Sequence, residues 1–147
     1  MKANELRIGN LLIANNLLYR KEGENKIACV VGIDSEKEYK ELKSSITIYH
    51  IDDEFKDTYG QWIKHLEPIP LTEEWLIKFG FEKKENSLFT KKLEYIYNSL
   101  KYCEDYKIWI YYNDDNDAAC NSIADLNFVH ELQNLYFALT KKELTMK

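Results

Sequence analysis

The sequence is short of the residue patterns that announce chemistry. Three cysteines, Cys29, Cys103 and Cys120, are odd in number and far apart, and no Cys-x-x-Cys pair offers the spacing of a zinc or thiol-redox site. Reduced and mostly buried thiols are the expectation. The five glycines are all isolated. That removes the P-loop and the dinucleotide fingerprint, which need clustered glycines so that backbone N–H groups can close on phosphate. There is no Gly-x-Ser-x-Gly elbow, and no cysteine sits beside an activating base. With only two prolines as well, a fibrous or disordered chain is excluded. Apolar runs are short, and the opening "MKANELRIGN" is polar at once, without the apolar centre of a signal peptide. The expected setting is therefore cytoplasmic, with no membrane partner. Positive charge is also in deficit: a net charge of −5 leaves no global field to draw the protein onto phosphate backbones or anionic lipid.

What is present suffices for a folded core. A chain of 147 residues is the size of one ordinary domain, which buries about two thirds of the surface its unfolded form exposes. Aromatic residues make up 14%, led by 11 tyrosines, whose flat rings with polar tips suit both strands and binding surfaces. Acidic residues gather over 34–57 and 114–131, and lysines over 78–107. A local basic patch therefore stays open.

The first third reads as strands. "LRIGNLLIA", "KIACVVGID" and "SSITIYHID" are short runs rich in β-branched residues, and Ile46 and Ile48 alternate with Thr47 and Tyr49. They predict an antiparallel unit of three to four strands over residues 1–67, of the SH3-like kind. The charged stretch "DSEKEYKELKSS" between the second and third strands reads as a solvated loop or short helix.

Residues 68–147 read as a second, helix–meander–helix unit, the two together forming one compact α+β domain. "EPIPLTEEWLIKFGFE" predicts a helix over about residues 73–79. Thr72 can cap it, Glu73 and Glu74 suit the positive end of its dipole, and Leu71 can staple onto Leu76. Gly80 can end it in the left-handed conformation, with Phe81 folding back towards Leu76. In "SLFTKKLEYIYNS", Phe89, Leu93, Tyr95 and Tyr97 alternate with Thr90, Lys92 and Glu94, as in a half-buried strand. In "YKIWIYYN" both faces are apolar, so the strand is either central in its sheet or shows aromatics to a partner. Turns near Glu85-Asn86 and Cys103–Asp105 would complete a meander.

The closing "NFVHELQNLYFALTKKELTMK" switches to helical period. Phe128, Leu132, Leu135, Tyr136 and Leu139 form one stripe, with Val129 at its margin, and this amphipathic helix is expected to pack on a sheet. Asn127 or Asp125 can cap its start, and Thr140 with Glu143 predicts a break near Thr140. His130 and Phe137 fall on the opposite side of the helix.

Most candidate chemistries meet a plainer explanation. "NDDND", residues 113–117, offers oxygen ligands, but an EF-hand loop starting at Asn113 would have Ala118 where glycine is needed and Ala124 where glutamate is needed. A solvated loop is the simpler expectation, with no metal and no cofactor. His50, His65 and His130 lack further ligands at metal spacing. His50 does precede Asp52, Asp53 and Glu54, which leaves a small enzyme or nucleotide-handling protein as one alternative. Another is a single-strand nucleic-acid binder built on "KKENSLFTKKLEYIYNSLKY". There, however, Lys91 shares the aromatic face and Lys92 the opposite one, and edge lysines that deter sheet aggregation explain both.

Three stretches, "NELRIGNLL", "PIPLTEEWLIKFGF" and "VHELQNLYFALTKKELT", resemble a set of short uncharacterised proteins of Bacteroidetes genomes and of their phages and prophages. The resemblance follows the order of the chain, and its motifs cover about a third of it. It implies a small accessory protein, host-directed or defence-directed, and brings no site with it. The family pattern often has Gln at Glu131 and Gly at Lys141. Without that glycine, the helix stop is expected to rest on Thr140 and Glu143.

These features favour a non-catalytic binding protein over an enzyme. Its partner would be a protein, a small ligand or a second copy of the chain, and its binding residues would be exposed aromatics and their neighbours: Trp109, Tyr111, His130 and Phe137.

Overall fold

The computed structural model describes residues 1–15, 25–34, 45–52, 54, 57–84, 88–93, 96–112 and 122–147. The "NDDND" run, the charged segment 35–44, the Glu85-Asn86 turn and Tyr95 lie outside them. The protein is α+β; its described residues form two five-stranded antiparallel sheets and two α-helices, α1 (Glu73–Lys78) and α2 (Val129–Thr140). It divides into two compact units, Met1–Ile69 with Val129–Glu143, and Pro70–Phe128 with Leu144–Lys147. Among the described residues no helix is long and apolar enough to cross a membrane.

The first unit holds β1 (Leu11–Asn15), β2 (Asn25–Asp34), β3 (Ser45–His50), β4 (Thr58–Trp62) and β5 (Leu66–Pro68), in the spatial order β4-β3-β2-β1-β5. A 3₁₀ turn at Ile63–His65 leads into β5, which pairs with β1, so the meander curls back on its first strand. Period-two alternation sends Ile46 and Ile48 inward to join Leu6, Leu12, Ala14, Ala28, Val30 and Leu66. β4 and β5 do not stand out in the sequence. β4 reads Thr-Tyr-Gly-Gln-Trp with its first three residues exposed, and β5 is only three residues long.

Helix α2 packs against β1 through Gln133. Its Nε2 donates to the Gly9 carbonyl at 3.1 Å, and its Oε1 accepts the Leu11 N–H at 2.9 Å. The neighbouring Asn134 accepts from Asn10 Nδ2 and donates to the Glu5 carbonyl. The buried face of the helix is accordingly Val129, His130, Leu132, Gln133 and Tyr136, while Leu135 is half-buried and Leu139 exposed. At about 100° per residue, this face is rotated roughly a quarter turn from the expected apolar stripe. Hydropathy reads Gln133 as solvent-facing, whereas hydrogen bonding puts it at the joint. Asp125 lies in a strand and does not cap this helix. The helix stops at Thr140, as expected. The Thr140 hydroxyl donates to the Tyr136 carbonyl at 2.7 Å, and Lys141 follows with φ +59°. Glu143 pairs instead with Arg7 at 2.8 Å.

The second unit holds β6 (Glu82–Lys83), β7 (Leu88–Leu93), β8 (Ile96–Cys103), β9 (Ile108–Tyr112) and β10 (Ser122–Leu126), in the order β10-β9-β8-β7-β6. The stretch "SLFTKKLEYIYNS", which reads in the sequence as one alternating strand, holds parts of two. β7 ends at Leu93, β8 begins at Ile96, and Tyr97 stands in register with Lys92, not with Phe89. Alternation continues through a hairpin, so it could not reveal the reversal.

Helix α1 ends as its sequence predicts. The Gly80 N–H donates to the Ile77 carbonyl at 2.8 Å and the Phe81 N–H to the Leu76 carbonyl at 2.9 Å, with Gly80 at φ +78°, which is the Schellman arrangement. Thr72 sits at the N-cap without a side-chain hydrogen bond. The Lys91 ammonium donates to the Phe79 carbonyl, adding a cation to the negative end of the helix.

Candidate interaction surface

Strand β9 decides where the second sheet can meet a partner. Its burial alternates strictly: Trp109 and Tyr111 are buried, and Ile108, Ile110 and Tyr112 are half-buried. The inner side faces the α1 segment. The Trp109 indole N–H donates to the Leu71 carbonyl at 2.9 Å, and its ring meets Phe89 edge-on at 5.6 Å and Tyr102 at 5.3 Å. Tyr111 is fully buried and lies in register with Leu100, itself paired with Phe89. Burying such a side chain stabilises a fold by about 1.5–3 kcal/mol. Trp109 and Tyr111 are therefore core residues, and the expectation that they are exposed is corrected.

The other two expected binding residues are engaged as well. His130 is buried at 3% exposure, because the face of α2 is set by Gln133. Burial holds its pKa below the ordinary histidine range, against the opposing pull of the Glu131 and Glu5 carboxylates. Phe137 is half-buried under the Arg7 guanidinium, whose carbon lies 3.7 Å from the ring centroid. Arg7 thus bridges Phe137 and Glu143.

Among the described residues, His50 acts on the Asp52 carboxylate, whose pKa is lowered chiefly by Lys26 and further by the charge of His50. It is buried, with its ring 5.9 Å from that of Tyr59. Asp52 and Glu54 are exposed, and the Asp52 carboxylate is held by Lys26 Nζ at 2.9 Å, which lowers its pKa. Asp53 lies outside the described residues. Among the described residues no three His, Cys, Asp or Glu side chains come together as a metal-ligand set.

Among the described residues, another candidate surface is the outer face of the second sheet, turned away from α1. Its central row runs Leu88–Lys101–Ile110–Asp125 in register across β7, β8, β9 and β10. Leu88, Lys101 and Ile110 are half-buried and Asp125 is exposed. Along β9, Ile108 and Tyr112 flank Ile110 on the same face, with Cys103 in register with Ile108. A β-branched and aromatic strip with accessible surface, bordered by one cation and one anion, is suited to protein contact. Sequence reasoning found that both faces of β9 are apolar but chose the wrong one as exposed. The signal that could have corrected it was Leu71 and α1, whose apolar residues need one face of this sheet as their cover.

No protein-family model, curated protein or solved structure matches the chain.

Proposed function

We propose that the protein is a non-catalytic accessory protein that recognises a protein partner through the outer face of its second sheet. The observation that carries this reading is the alternation of β9, which leaves Ile108, Ile110 and Tyr112 accessible while Trp109 and Tyr111 hold the strand rigid from behind. A preformed sheet face presents apolar side chains at little ordering cost, which is what a binding surface needs. The resemblance to phage and prophage proteins of Bacteroidetes supplies the setting, a small cytoplasmic partner of a host or phage protein.

The test is affinity capture from host lysate with the wild-type chain and two variants. Ile110→Arg places a charge at the centre of the face, and Tyr106→Ser alters an exposed turn residue elsewhere, at 75% exposure. A captured protein lost with Ile110→Arg and kept with Tyr106→Ser is the expected result, with unchanged circular dichroism for both. Equal capture by all three chains would remove this face from consideration. Salt-sensitive retention of a labelled oligonucleotide, lost with Tyr112→Ala, would assign the face to nucleic acid instead.

A further inference from the structure

We infer that the edge strand β4 takes up an extended segment of a partner protein as an added antiparallel strand of the first sheet. β4 belongs to the first unit, so the inference stands apart from the reading of the β9 face. Among the described residues the two sheets have four outermost strands, and three of them carry a device that discourages pairing with another chain. β5 has three residues, among them Glu67 and Pro68. β6 has two, both charged. β10 carries Asp125 and a register shift between Ser122 and Ala124. β4 has none of these. Its Thr-Tyr-Gly-Gln-Trp holds no charge and no proline, pairs with β3 in unbroken register, and exposes Thr58, Tyr59 and Gly60.

The phase of the hydrogen bonds shows what this edge offers. The Ile51 N–H donates to the Ile27 carbonyl at 3.1 Å, and residues along an antiparallel strand turn their backbone groups alternately to one neighbour and the other. Tyr49 and Thr47 therefore serve β2, whereas Ile48 and Ile46 serve β4 through Tyr59 and Gln61. Thr58 and Gly60 are left facing outward, with two N–H donors and two C=O acceptors repeating at about 6.8 Å. Extended backbone is the chemistry that matches this row, which makes the occupant a peptide segment.

Side chains set which segment fits. Thr58, Gly60 and Trp62 share one side of the strand, so Gly60 leaves a gap between a threonine and a half-buried tryptophan. An aromatic residue opposite Gly60 fills that gap, as cross-strand aromatics do over edge glycines. Asp57 precedes the strand and Lys64 follows it, both exposed. Antiparallel entry brings the start of the segment to Lys64 and its end to Asp57, which favours an acid first, then the aromatic residue, then a base.

The probe is a fluorescein-labelled peptide, acetyl-Glu-Thr-Val-Thr-Tyr-Thr-Val-Lys-amide, whose tyrosine falls opposite Gly60 when its lysine meets Asp57. Fluorescence polarisation with the full chain should show saturable binding in the high micromolar range, and amide exchange at Thr58 and Gly60 should slow when peptide is added. Thr58→Pro removes one outward donor at a first strand position, where proline is accepted. It should weaken binding by about tenfold with unchanged circular dichroism. Methylating the tyrosine nitrogen of the peptide removes a donor to the Gly60 carbonyl and keeps every side chain, and should cost at least as much. No saturable binding up to millimolar protein overturns the proposal, as does binding that survives both the proline and the methyl group. Binding lost with Ile110→Arg would place the peptide on the other sheet and overturn it too. A mass that doubles with concentration, and no longer does so with Thr58→Pro, would give the edge to a second copy of the chain instead.

Discussion

Lys141 follows helix α2 at φ +59°, in the left-handed region, where a side chain costs about 1–2 kcal/mol relative to right-handed backbone and glycine is nearly free of that cost. The Lys141 N–H donates to the Phe137 carbonyl at 2.8 Å, so the conformation serves the helix end. Lys141→Gly should therefore raise the free energy of unfolding by about 0.5–1 kcal/mol, the strain relieved less the added freedom of the unfolded chain. Urea denaturation measures this, and an unchanged or lower midpoint would show that the lysine is unstrained. His130 makes a second prediction at this scale. Burial holds its folded pKa below the value in the unfolded chain, so above about pH 6.5 both states are neutral there and the group contributes nothing to pH dependence. As pH falls through that value the unfolded chain takes up a proton that the folded one refuses, and stability drops until the folded pKa is reached. His65 is shifted the same way, chiefly by burial. Melting curves between pH 7.5 and 5.5 should thus show a falling midpoint, and His130→Gln should flatten that fall without abolishing it; an unaltered slope would exclude His130 as its source.

At the scale of elements, one side chain makes two of the hydrogen bonds that join α2 to β1 and the turn before it. Gln133 is 2% exposed and serves both the Leu11 N–H and the Gly9 carbonyl. Gln133→Leu would leave two backbone groups without that partner, at about 1–3 kcal/mol each. The expected loss is about 2–4 kcal/mol in denaturant unfolding, and a loss below about 0.5 kcal/mol would mean that water replaces the amide. The same residue explains why the face of α2 was hard to read from the sequence. Apolar spacing points to Leu135 and Leu139, and nothing local to the helix says that the turn at Gly9, 124 positions earlier, needs a donor. Helix α1 was legible for the opposite reason. Its stop lies in adjacent residues, Gly80 and Phe81, whose two hydrogen bonds return to its own last turn. β4 and β10 escaped notice because each is largely exposed, and a strand without a buried side carries no alternation.

For the whole molecule, period-two patterning was enough to class the protein as α+β, but not to choose the working face of β9. Both sides of that strand are apolar, and only the placement of the α1 segment, with Leu71 accepting from Trp109, decides which side is core. The three stretches that carry the family resemblance prove to be largely structural. "NELRIGNLL" and "VHELQNLYFALTKKELT" meet through Asn10, Gln133 and Asn134, and "PIPLTEEWLIKFGF" builds α1 and its stop. The candidate interface lies outside all three, on β8, β9 and β10.

The first unit closes with a helix that lies after the whole second sheet in the chain, so the hydrogen bond from the Leu11 N–H to Gln133 spans 122 positions. During synthesis, β1 emerges from the ribosome long before its partner exists. Until residues 129–143 follow, the turn at Gly9 and the start of β1 keep polar groups that α2 will later serve. Such a nascent sheet is open to proteases and chaperones for most of the time the chain takes to be made. A chain broken off ahead of α2 would lack the side chain that serves the Leu11 N–H and the Gly9 carbonyl.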